Sequence, residues 1–106
     1  MFVAGLPLDG TLVFRPSVIM PDGLLRQKFG WYREKGLHGR LINAGKRLDA
    51  AAPPLRAEIA NGYSDTGFQP SEIIFPTEGC WQVTGTVGNV SVTFVTRVMK
   101  LPGTQS

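Results

Sequence analysis

Gly and Pro interrupt this chain so often that no stretch as long as the roughly 12 residues at which a helix becomes self-supporting keeps helical spacing free of both. What survives between the interruptions is short, and where it is patterned its period is two. Val90 to Lys100 sets Val90, Val92, Phe94, Thr96 and Val98 against Ser91, Thr93, Val95, Arg97 and Met99. Cys80 to Val87 does the same, with Trp81, Val83, Gly85 and Val87 on one parity. Alternation rich in β-branched residues predicts strands with one buried face. Gly88-Asn89 between these two segments predicts a tight hairpin.

The same reasoning divides the rest of the chain. Thr11–Phe14 is a segment opened by Asp9-Gly10 and stopped by Pro16, and Val18-Ile19-Met20 is closed by the Pro21-Asp22-Gly23 turn signal. Leu24 to Tyr32 carries Leu25, Gln27, Phe29 and Trp31 on one parity, which sends Trp31 to the core and Tyr32 to solvent. Arg40 to Leu48 is a strand with Gly45 inside it, where a bulge or bend is expected. Pro53-Pro54 ends any helix begun at Ala50, Leu55–Ile59 is a short strand, and Asn61–Gly67 an exposed loop. Phe68–Phe75 is strand-like and ends at the turn Pro76-Thr77-Glu78-Gly79. Seven to eight short antiparallel strands at this spacing, with no substantial helix, predict an all-β fold, and a sandwich in preference to a small barrel. With 106 residues there is room for one domain, its core spanning about residues 9–100 and Leu101 to Ser106 a flexible tail.

Two groups of segments carry a resemblance. At Phe75-Pro76-Thr77-Glu78-Gly79-Cys80-Trp81-Gln82-Val83-Thr84-Gly85 a strand ends in a Pro turn and alternation resumes at an aromatic, which resembles the penultimate strand of bacterial immunoglobulin-like domains. Together with Gly10–Pro16, Lys28–Tyr32, Arg47–Ala50 and Gly62–Gln69, it makes the chain similar to an uncharacterised family of small bacterial proteins, often predicted to be exported or lipid-anchored. The resemblance implies an immunoglobulin-like β-sandwich and an extracytoplasmic location, and supplies no activity. Cys80 is the only cysteine, so the disulfide of antibody-type domains cannot form, and Glu78 stands where their conserved tyrosine would be. The N-terminal residues lack the basic and apolar regions of the leader that such relatives carry, which leaves a cytoplasmic location open. No apolar run approaches the roughly 18 residues of a membrane span.

Chemistry-bearing residues are sparse. Eleven Lys and Arg against eight Asp and Glu give a net charge of +3, with the basic residues scattered from Arg15 to Lys100 rather than gathered in the stripe that nucleic acid requires. A single His38, between Gly36 and Gly39, reads as an exposed loop histidine, and Cys80 as a small buried thiol. A Cys80, His38 and Asp49 triad is permitted by composition but supported by no motif, and no metal or cofactor motif is present. Arg47 and Asp49, two apart on one strand face, are placed to pair with each other, or with Asp65.

Aromatic residues are the better lead. Tyr63 and Phe68 flank the polar loop Ser64-Asp65-Thr66-Gly67, and Tyr32 faces outward. A flat ring beside such a loop pins the loop to the sandwich edge, or stacks on a sugar or fills a protein pocket. Tyr32, Tyr63, Asp65 and Phe68 are therefore the candidate ligand-binding residues, with a protein or glycan partner. The expected function is a non-catalytic binding or interaction module, with no cofactor. The alternatives are a homo-oligomer assembled through an edge strand, Val90 to Lys100 being the expected one, and a small hydrolase or metal-dependent enzyme.

Overall fold

A computed structural model describes residues 1–102. Its regular structure is eight strands and one 3-10 turn: β1 (Phe2–Ala4), β2 (Thr11–Phe14), β3 (Leu25–Arg33), β4 (Leu41–Arg47), β5 (Arg56–Ile59), β6 (Gly67–Phe75), β7 (Gly79–Val87) and β8 (Val90–Lys100). The strands form two four-stranded sheets, ordered β1-β3-β6-β5 and β2-β8-β7-β4. The inward parity of each sheet supplies one shared core: Leu25, Phe29, Trp31, Ile73 and Phe75 from the first, Leu12, Phe14, Leu41, Trp81, Val83, Val87 and Val98 from the second. The Phe75 and Trp81 rings meet edge-on across the layers, their centroids 5.5 Å apart. Both buried indoles find acceptors, Trp31 Nε1 donating to Ser71 Oγ at 2.9 Å and Trp81 Nε1 to the Thr77 carbonyl at 3.0 Å. A buried N–H left without a partner would cost about 1–3 kcal/mol.

Several expectations are corrected. Val18-Ile19-Met20 is not a strand; a 3-10 turn at Pro16–Val18 ends in it, and Ile19 and Met20 are irregular. Pro16 pre-sets φ for the first helical position, and three apolar residues in a row present no face for a sheet to bury. Phe2–Ala4, outside the expected core, is a strand paired with β3. Pairing is not wholly antiparallel, because β2 runs parallel to β8 in the register Thr11↔Arg97 to Phe14↔Lys100. These segments lie far apart in sequence, so no hairpin dictates their sense. β8 is not an edge strand either: it lies between β2 and β7.

Gly45 sits in an unbroken register with Val83 and makes no bulge. Its missing side chain lets another residue in, since a Cβ there would collide with the Gln82 carbonyl and lie 2.5 Å from Leu55 Cδ2. The Gly88-Asn89 hairpin forms, with Gly88 at φ +59° as the first central residue of a primed turn requires. Leu101, placed in the expected tail, still donates its N–H to the Phe14 carbonyl at 2.9 Å. Residues 103–106 of that tail lie outside the described residues.

Candidate functional site: an aromatic row on the first sheet

Even-numbered residues of β3 and β6 point away from the core, and at one end of the sheet they are aromatic. Tyr32 stands opposite Phe2 on β1 and opposite Phe68 on β6. Three neighbouring strands thus place three rings in one row across the outer face, and Tyr63 on the loop that leads into β6 continues it. Phe2 is 56% exposed, Tyr32 43%, Phe68 49% and Tyr63 47%. The Phe2 and Tyr32 rings stack on each other, centroids 5.0 Å apart and planes 19° from parallel. Phe68 meets Tyr63 edge-on at 6.1 Å. The Phe68 ring also fills the space above Gly30, where a Cβ would lie 2.5 Å from its Cε1. A larger residue at position 30 would displace Phe68 from the row.

The loop that carries Tyr63 is held from below. Arg33, the last residue of β3, is 2% exposed, and its guanidinium donates to three backbone carbonyls: Gly39 at 2.6 Å, Ser64 at 2.8 Å and Gly67 at 3.3 Å. A cation taken out of water is tolerated only when its donors are met, and here meeting them fixes the two loops that carry His38 and Tyr63. Gly39 N–H donates to the Asp65 carbonyl at 2.8 Å, and Thr66 Oγ1 to the Leu37 carbonyl at 2.8 Å. His38 Nδ1 lies 3.0 Å from Asp65 Oδ1, and that hydrogen bond holds the Asp65 carboxyl below its ordinary range.

The four candidate residues therefore fall at one end of the molecule, but in two roles. Tyr32, Tyr63 and Phe68 share the exposed row, and the Tyr63–Phe68 contact also serves to pin the loop. Asp65 belongs to the loop brace with His38, and does not pair with Arg47. Arg47 Nε donates instead to Asp49 Oδ1 at 2.8 Å, and that carboxyl also accepts the Cys80 N–H at 3.1 Å. Phe2 escaped the sequence reading although it contributes the most exposed ring; the signal available was an aromatic beside Val3 in an alternating triplet. Arg33, whose parity with Trp31 points it inward, was equally legible as a buried cation in search of acceptors.

Cys80 is partly exposed rather than buried, at the start of β7. The His38 loop packs near the other end of the same strand, where the adjoining Gly39 approaches Val87. Seven residues of strand at ~3.3 Å each put the two roughly 23 Å apart, so Cys80, His38 and Asp49 do not assemble as a triad. Among the described residues no three His, Cys, Asp or Glu side chains converge as a metal site, and no helix is long and apolar enough to cross a membrane. In comparisons with known proteins the chain matches no family, no curated protein and no solved structure.

Proposed function

We propose that the chain is a non-catalytic binding module of immunoglobulin-like sandwich architecture, acting in the bacterial envelope, and that the Phe2–Tyr32–Phe68–Tyr63 row is its recognition surface. The observation that carries this reading is the row itself, four aromatic rings half exposed and contiguous across three strands and a loop. Burying such rings in the fold's own core would have stabilised it by about 1.5–3 kcal/mol each. Contiguous exposed aromatics mark interaction sites far more often than scattered ones. The location rests on the resemblance described above.

A protein partner fits the ring geometry better than a glycan. A sugar stacks on an open ring face, whereas Phe2 and Tyr32 turn one face each toward the other and present edges and the Tyr32 hydroxyl. An apolar protein surface packs against such a ridge and accepts the hydroxyl at its rim. The test is capture from envelope and cytosolic extracts of the host by the tagged chain. A specific protein retained by the wild type should be lost from a Tyr32→Ser, Phe68→Ser double variant that keeps its far-UV and near-UV spectra. It should be kept by Val95→Thr, on the outer face of the opposite sheet. With each central ring worth about 2 kcal/mol or more, the affinity loss should exceed a hundredfold. Equal capture by both variants would remove the row as the recognition surface, and capture of polysaccharide alone would replace the protein partner.

A further inference from the structure

The two sheets part company at one corner. β4 and β5 are edge strands of different sheets, and each pairs on one side only. At one point they touch, where Leu55 N–H donates to the Gly45 carbonyl at 3.3 Å. Beyond it they splay apart around an open groove of about 770 Å³, within the roughly 300–1,000 Å³ typical of ligand clefts. Leu41, Leu55, Ala57 and Ile59 form its apolar walls.

The backbone along this groove is unpaired, and its direction can be read from neighbouring bonds. Leu48 N–H donates to Cys80 across the β4–β7 ladder, while the Gly45 carbonyl points away from it. Residues of even number on β4 therefore bond β7, and the N–H and C=O of Leu41 and Asn43 face the groove. On β5, Ala60 N–H donates to Pro70 on β6 and Leu55 faces β4, so Ala57 and Ile59 likewise turn their backbone groups outward. Asn43 lines the groove, and both of its side-chain amide atoms are buried beside it without a hydrogen-bond partner; it is the only residue so placed among the described ones. A buried amide with neither its donors nor its acceptor met is costly, and needs a reason. Arg40 and Arg56 stand at the rim, exposed, and neither forms an ion pair among the described residues. No carboxylate lines the groove.

We infer that this groove is a binding site for an extended, acidic polypeptide segment of a partner protein, which adds a strand along β4. The segment's backbone meets the free N–H and C=O groups of Leu41 and Asn43. On binding, the Asn43 side chain, enclosed in the free protein, rotates toward the segment, and its amide, one donor side and one acceptor side, meets a peptide group there. Apolar side chains of the segment enter between Leu41 and Ile59, and its acidic side chains meet Arg40 and Arg56. Main-chain pairing supplies affinity in this mode, and the side-chain pockets and charges supply selectivity. The groove shares no lining residue with the aromatic row, though its Gln69 adjoins Phe68 in the chain, and the inference does not depend on the row.

Two probes test this on the full chain: a fluorescein-labelled peptide alternating valine with glutamate, and its lysine counterpart. The glutamate peptide should bind saturably by anisotropy and slow amide exchange at Leu41 and Asn43, and the lysine peptide should not bind. Arg40→Glu with Arg56→Glu should weaken binding at least tenfold, and Val95→Thr should leave it unchanged. Asn43→Leu, close to isosteric, should abolish binding while raising the melting temperature of the free protein. That paired outcome separates a ligand-seeking amide from one that props the fold. No saturable binding of the glutamate peptide, equal binding of both peptides, or a lowered melting temperature for Asn43→Leu would each overturn the inference. So would a concentration-dependent dimer that protects the same amides, which would make a second copy the occupant.

Discussion

At the scale of single residues, this fold spends its charged groups on fastening loops and strand ends. Arg33 does so from inside, Asp49 and Asp65 from the surface. The Asp49 carboxyl is held below its ordinary 3.8, first by the hydrogen bond from Arg47 and next by that from the Cys80 N–H. A folded-state pKa below the unfolded one means that the unfolded chain binds more protons near pH 4. The stabilisation is therefore complete above the unfolded value and is lost as pH falls through the folded one. We expect the melting temperature to drop on acidification below about pH 4, and Asp49→Asn to flatten that limb while lowering the plateau at neutral pH. Melting curves from pH 7 to pH 2 for both proteins check it; parallel curves would show that Asp49 contributes nothing to the pH dependence. Parity alone assigned Trp31 to the core and Tyr32 to solvent, because one residue's shift flips the face. Asn43 was not legible in the same way. Its position on the inward parity of Arg40 to Leu48 says nothing about whether a neighbour closes over it, which depends on how far β5 stands off.

At the scale of elements, long alternating strands announced themselves, and short ones only where turn residues bracket them, as Gly10 and Pro16 bracket β2. β7 and β8 were readable almost to the residue, since nine or eleven positions of period two admit one interpretation. β1, with three residues, and the 3-10 turn at Pro16–Val18 lack the length for any periodicity to show. Sheet order was hidden for a different reason. A strand's sequence records which face is buried, not which strand lies beside it, so β8 read as an edge although it is flanked on both sides. The exposed edge of β4 makes its own prediction. Amides of Leu41 and Asn43, facing the groove, should exchange at least about tenfold faster than those of Ile42 and Ala44, which bond β7. Residue-resolved hydrogen exchange reads this directly, and uniform protection along β4 would show that the edge is covered in solution.

At the scale of the whole molecule, the pairings that complete the second sheet join distant parts of the chain. Thr96 Oγ1 donates to the Gly10 carbonyl across 86 residues at 2.8 Å, and Arg97 N–H donates to the same carbonyl at 3.0 Å. Non-local pairing of this kind must close a long loop before it returns any stabilisation. Folding should accordingly fall in the millisecond-to-second range typical of β-sandwiches, and stopped-flow Trp fluorescence after dilution from denaturant should show it. A dominant microsecond phase that recovers the full Trp31 and Trp81 signal would contradict the topology. The central place of β8 also fixes an order of events in the cell. A ribosome releases this chain from the N-terminal end, so β2, β4 and β7 all emerge before the strand that unites β2 with the other two. Without β8, β7 lacks its partner on one side, and the backbone edge from Gly79 to Val87 stays unpaired.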